Sequence, residues 1–155
     1  MIVLDLKLNN ILGFTNFSIN FSYPKKIINS IIENEHLLHR PNFRYKKVVL
    51  LMGANASGKT SLGKALSLIF KFISSGNTAL LFEMVGSETA GSFTIDFVNE
   101  GYTLHRLSAA IDPKNTNIEL SYAHSFIDER DSYEKCVSKF SDSMLLDTDV
   151  KALKR

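Results

Sequence analysis

The stretch "VVLLMGANASGKTSL", residues 48–62, decides how the rest of the chain is read. Within it, "GANASGKT" fits G-x-x-x-x-G-K-[ST], with glycines at Gly53 and Gly58. Each residue type has a reason to stand where it does. Gly53 lets the chain turn sharply out of the apolar run before it. Gly58 brings backbone N–H groups close to phosphate oxygens, where a Cβ would obstruct. Successive N–H groups of Asn55, Ala56, Ser57, Gly58, Lys59 and Thr60 can then form an anion nest. Lys59 reaches the β- and γ-phosphates as a point charge and is the candidate catalytic residue. Thr60 offers its hydroxyl to Mg²⁺, the expected metal, and Ser61 donates to the α-phosphate from the first helical turn. A helix beginning there adds the positive end of its dipole.

The flanks supply the context that such a loop requires. "VVLLM", residues 48–52, is continuously apolar, which predicts a strand covered on both faces in a parallel sheet. Residues 59–74 predict a helix with Leu62, Leu66, Ile69, Phe70 and Ile73 as its main stripe, widened by Leu68 and Phe72 and stopped by Gly76. Upstream, two short strands are expected over 2–8 and 16–22. Phe17, Ile19 and Phe21 alternate with Ser18, Asn20 and Ser22, and Gly13 marks the turn between the strands. Pro24 opens "KKIINSIIENEHLL", where Ile27, Ile28, Ile31, Ile32 and Leu38 recur at helical spacing. "HRPNFRYKK" follows as a loop.

Downstream, "SFTIDFV", "YTLHRLSAA" and "NIELSYA" each alternate, joined by turn chemistry at 99–101 and 112–115. They predict an antiparallel meander over 91–123. Residues 124–155 read as a charged, weakly helical tail. The expected fold class is therefore α/β: a P-loop strand–loop–helix core carrying an antiparallel β-subdomain, in a lobe of residues 1–123.

The bulk numbers bound the rest. A chain of 155 residues, 45% hydrophobic and 22% charged, is ordinary for one globular domain. Its single cysteine, Cys136, excludes an internal disulfide and suits a reducing, cytoplasmic setting. Asp5 and Lys7 interrupt the first residues, unlike a secretory signal, and no apolar stretch approaches the length of a membrane span. Residues 1–60 carry eight Lys/Arg against three Asp/Glu, so the surroundings of the loop are basic, as an anion site or a solvated face would be.

Glu35, His36 and His39 read as a solvated helix end rather than metal ligands, with no cysteine or third histidine near. His105 and His124 read as structural strand residues, and Cys136 has no paired histidine. "RPNFRYKK", residues 40–47, interleaves Arg40, Arg44, Lys46 and Lys47 with Phe43 and Tyr45. That pattern suits a surface loop, or else nucleic-acid binding or stacking on a base. Tyr45 and Phe14 flank the run that feeds the loop and are candidates to lie near a base.

"GANASGKTSL" resembles the phosphate loop of the RecF/SMC-like and OLD-like branch of ATP-binding-cassette ATPases, which commonly reads G-x-N-x-S-G-K-[ST]. "LGFTNFSINF", with Phe14 and Phe17, is similar to the strand pair that precedes the loop in that branch. The meander resembles its small β-subdomain. The resemblance covers about residues 1–123, and the loop is its only highly specific part. It implies ATP and Mg²⁺ as ligands and work on DNA or in phage defence. It also implies two heads that sandwich two nucleotides, hence a homodimer, a partner chain or a missing C-terminal portion.

The chain departs from the family pattern at three places. It contains no glutamine, so it has no Q-loop, and no signature motif of the LSGGQ kind is present. The nearest Walker B candidate is "SMLLDTD", with Asp147 after Met144, Leu145 and Leu146 and no following glutamate. The expectation is the front piece of a longer ATPase that holds phosphate without hydrolysing it well. A small-molecule kinase, or a non-enzymatic interaction module with a vestigial loop, stand as alternatives.

Overall fold

The computed structural model describes residues 1–23, 32–54 and 58–145, the last five as backbone. β1 (Ile2–Asn9) pairs antiparallel with β2 (Phe17–Asn20), placing Leu6 opposite Ile19 and Leu8 opposite Phe17. A hairpin of β3 (His36–Leu37) and β4 (Arg40–Arg44) follows. Next come α1 (Lys59–Ser75) and the single turn α2 (Ala79–Phe82). The chain then enters a meander of β5 (Gly91–Val98), β6 (Thr103–Asp112) and β7 (Asn117–Phe126). It continues through α3 (Tyr133–Val137) to β8 (Ser141–Leu145). One sheet of six strands, in the order β2-β1-β5-β6-β7-β8, is antiparallel at every pairing.

Alternation builds this sheet. Phe93, Ile95 and Phe97 on β5 share a face with Ala109 and Leu107, their register partners being Phe93 with Ala109 and Ile95 with Leu107. Leu6 and Leu8 extend the same apolar face from β1. Onto it α1 lays Leu62, Ala65, Leu68, Ile69, Phe72 and Ile73, all buried. Each fully buried side chain of this kind contributes about 1.5–3 kcal/mol. The helix ends as expected: Gly76 takes φ 72, and its N–H donates to the Phe72 carbonyl at 2.8 Å.

The opposite face carries a second, smaller cluster. Leu4, Phe43, Leu104, Ile127, Tyr133 and Cys136 meet there, with Phe43 and Tyr133 in edge contact at 6.4 Å. Strand alternation turns Asp96 and Arg106 to this side. Arg106 donates from Nε and Nη2 to the two carboxylate oxygens of Asp96, at 2.7 Å each, and the Tyr133 hydroxyl also donates to Asp96. Asp96 is fully buried, so this bidentate pair and hydroxyl replace its lost hydration. Residues 127–137, assigned to a tail on sequence, thus help to close a core.

Four expectations meet a different outcome. First, the run 48–52 is no strand: Leu50 is 79% and Met52 88% exposed, and none of the five residues joins a sheet. A continuous apolar run needs cover on both faces and strand partners on both sides. The pairings of the sheet are antiparallel, and no parallel pair exists among the described residues. The strand–loop–helix core is therefore present only as loop and helix. Second, the helix predicted over 25–38 does not reach its end. Residues 24–31 lie outside the described residues, but Asn34 sits at φ 55, a left-handed conformation that breaks a right-handed helix, and His36 and Leu37 form β3.

Third, the predicted loop at 39–47 contains β4, because Phe43 is fully buried against Tyr133 and pins the hairpin down. Fourth, Ser143, Met144 and Leu145 of the Walker B candidate fall in β8, antiparallel to β7, while Asp147 lies outside the described residues. β8 stands at the opposite edge of the sheet from β2. No helix among the described residues is long and apolar enough to cross a membrane.

Candidate phosphate-binding site

The segment that feeds the loop passes beside the β2 end of the sheet. Ser22 bridges to Tyr45, and Lys46 N–H donates to the Phe21 carbonyl at 2.7 Å. The chain then runs exposed through 48–54 and returns at Gly58, the residue before α1. Gly58 has φ 87, a left-handed conformation that a side chain strains to adopt. A Cβ built there would also stand 3.2 Å from Phe14 Cζ and 3.3 Å from Cε1. The backbone angle favours glycine, and the neighbouring ring leaves little room for a Cβ.

Lys59 opens α1 and turns its side chain back across the loop. Its Nζ donates to the carbonyls of Gly53 and Ala54, at 2.7 Å each. The ammonium therefore ties the start of the loop to its end, with one lysine bridging the span that includes Asn55, Ala56 and Ser57, which lie outside the described residues. The first N–H groups of any α-helix have no intrahelical partner. In α1 those belong to Lys59, Thr60 and Ser61, and the first turn carries no acidic residue. Thr60 is exposed and Ser61 half-buried, so both hydroxyls stand at the open end of the helix. Together these groups offer an anion one ammonium, the N–H groups of a helix start and the positive end of its dipole.

A small pocket lies against this end of the helix. Phe14, Phe17, Ile19, Leu51, Met52 and Leu62 line about 220 Å³ beside Gly58 and Lys59. The rings of Phe14 and Phe17 meet at a tilt of 41°, with centroids 4.6 Å apart. Phe14 is presented by a turn in which Asn10, Leu12 and Asn16 all take positive φ. The Leu12 N–H donates to the Met84 carbonyl at 3.0 Å, which fixes that turn against the end of α2. A left-handed leucine costs of order 1 kcal/mol or more, so the turn is held by its surroundings.

The structure brings Gly53, Gly58, Lys59, Thr60 and Ser61 together at one helix end and sets Phe14 beside them. Tyr45 lies elsewhere, bordering a groove with Phe21, Lys46 and Val49. The continuous run 48–52 predicts a buried strand, which hides Leu51 and Met52 as pocket walls, and Leu62 reads as part of the helix stripe. The aromatic spacing of Phe14 and Phe17 was the available signal. Several side chains of the basic-aromatic stretch 40–47 are engaged within the chain. Phe43 is buried, Arg40 Nε donates to the Ile127 carbonyl and its guanidinium lies over the Tyr102 ring at 4.4 Å. Lys46 and Lys47 bond to the carbonyls of Asn20 and Glu33.

The other titratable groups have structural surroundings. His36 Nδ1 donates to the Leu37 carbonyl, and no metal-holding group exists among the described residues. Burial pushes the Cys136 thiol up to about 11, far from a nucleophile. His105 stacks between Phe97 and Tyr122, and burial, helped by His124, lowers its pKa to about 4. In comparisons with known proteins, no family model and no curated protein matches the chain.

Proposed function

We propose that the chain is the nucleotide-gripping portion of a cassette-type P-loop ATPase, holding ATP and Mg²⁺ through residues 53–61. The observation that carries this reading is Lys59, whose ammonium curls onto the Gly53 and Ala54 carbonyls at the open N-terminus of α1. An ammonium so placed meets the outer phosphates, while the N–H groups of the first turn meet the inner ones. Thr60 is the residue for Mg²⁺, and Ser61 for the α-phosphate. With no glutamine and no signature motif in its sequence, the chain binds nucleotide with little turnover. A link to DNA or phage defence, and a second head or partner chain to complete the site, come from the resemblance of the loop alone.

Titration with a fluorescent ATP analogue in Mg²⁺ tests the reading. Binding in the micromolar range, weakened at least about tenfold by Lys59→Ala, is the expected result. Turnover by the purified chain that disappears in Lys59→Ala would refute the non-hydrolysing half.

The interaction-module reading has one observation in its favour, the exposed apolar run 48–52, which presents Leu50 and Met52 to solvent. An absence of binding at millimolar nucleotide would favour it. The kinase reading finds no such support. Arg106, one of the few arginines after the loop, is engaged with buried Asp96 on the sheet face away from α1.

A further inference from the structure

We infer that the groove beside Tyr45 docks an acidic segment of a partner protein by its bulky apolar side chains. The groove lies between the start of β1, the residue after β2 and the flank of α1. Ile2, Val3, Phe21, Tyr45, Val49 and Leu66 supply its apolar walls, and the exposed Lys46 and Lys47 border it. Val49 is 40% exposed, so the groove is open to solvent. Its volume, about 340 Å³, is at the low end of the ~300–1,000 Å³ of ligand pockets. A space of that size takes side chains of a partner, not a folded element.

Charge selects the occupant. Lys46 Nζ donates to the Asn20 carbonyl at 3.1 Å and Lys47 Nζ to the Glu33 carbonyl at 2.8 Å. A carbonyl does not neutralise an ammonium, and neither lysine forms a salt bridge among the described residues. The imbalance is wider than this pair. Residues 36–82 carry seven Lys/Arg and no Asp or Glu, and residues 6–32 carry no Asp or Glu either. Asp5, the acid nearest in sequence to a wall residue, is buried and accepts from the Asn20 amide. An apolar anchor flanked by carboxylates matches both parts of this surface. The anchor fills the groove, and the acids pair with Lys46 and Lys47. A nucleic-acid strand would match the charge and not the walls, because Ile2, Val3, Val49 and Leu66 offer no ring to stack on.

Fluorescence anisotropy of the full chain with labelled peptides, in which glutamates flank a phenylalanine, a leucine or an isoleucine, tests the assignment. Saturable binding at about 100 μM or tighter is expected for at least one of them. The same peptide with lysines for its glutamates should bind at least about tenfold more weakly, and added salt should weaken the acidic peptide. Lys46→Glu with Lys47→Glu should weaken binding at least about tenfold. Val49→Ser leaves the charge unchanged and should weaken it about threefold or more, which carries the test if the double substitution disturbs folding. Lys64→Glu with Lys71→Glu reverses as much charge at exposed positions of α1 outside the groove, and should change binding by less than about threefold. No saturable binding of any acidic peptide, or an equal loss from the two lysine pairs, would overturn the groove as a docking site. A single-stranded oligonucleotide or an anionic phospholipid vesicle bound through Lys46 and Lys47 in place of the peptides would overturn the acidic protein partner. No nucleotide enters these titrations, so the phosphate site stands or falls separately.

Discussion

Two stretches of this chain are strongly apolar, and they have opposite fates. The meander strand β5 reads "GSFTIDFV" and buries Phe93, Ile95 and Phe97 to 2% exposure or less. The run 48–52 reads "VVLLM", has more apolar residues in a row, and lies in solvent, none of its five side chains below 40% exposed. Hydrophobicity alone therefore does not predict burial. An alternating strand needs one covered face, and the neighbouring hairpin strands and α1 supply that cover from within the same few dozen residues. A continuous run needs cover twice over, and the sheet offers it none.

The largest effect that would test this contrast lies in the meander. Phe93→Ala removes a ring packed between the sheet and α1 and should cost about 3–5 kcal/mol, read as a lowered urea midpoint. A loss below about 1 kcal/mol would mean that the sheet face is not the core.

A smaller effect is expected from pH. His105 sits on β6 beside the Tyr122 hydroxyl, 2.6 Å from its Nδ1, and burial lowers its pKa from 6.5 to about 4. The folded state thus disfavours the proton that the unfolded chain accepts. Stability is complete above pH 6.5 and falls as pH drops towards 4. Between pH 7 and pH 5 the loss should be about 2 kcal/mol, and His105→Gln should flatten that slope. A profile unchanged by the substitution would place the pH response elsewhere.

The smallest effect should be in the run itself. Leu50 is 79% exposed, so Leu50→Ser should shift stability by no more than about 0.5 kcal/mol. A loss of 2 kcal/mol or more would show that the run is covered in solution.

The same contrast explains which parts of the fold were legible beforehand. Strands β1, β2, β5, β6 and β7 and helix α1 were readable because period two or period 3.6 carries its own partner face with it, as Leu6 and Leu8 do opposite Ile19 and Phe17. The hairpin of β3 and β4 was not. Its anchor, Phe43, is one aromatic residue among four basic ones, and only contact with Tyr133, ninety positions later, makes it core. The pair of Asp96 and Arg106 was hidden for a similar reason. Each looks like a solvated strand residue until register sets them side by side. The candidate site was half legible: the loop residues declared themselves by spacing, while the pocket walls came from three separate segments.

By itself the sequence determined the local chemistry: a glycine where the backbone must turn left-handed at 58, a lysine at the head of a helix, and alternating strands around tight turns. These are properties of a residue and its near neighbours, so they are present in the linear order. Only the tertiary structure decided that, among the described residues, β1 and β2 join the meander in one sheet, that 48–52 stays uncovered, and that Phe14 stands over Gly58. Those outcomes depend on which surfaces meet across the chain, and burial is a property of pairs of surfaces, which no single segment carries alone.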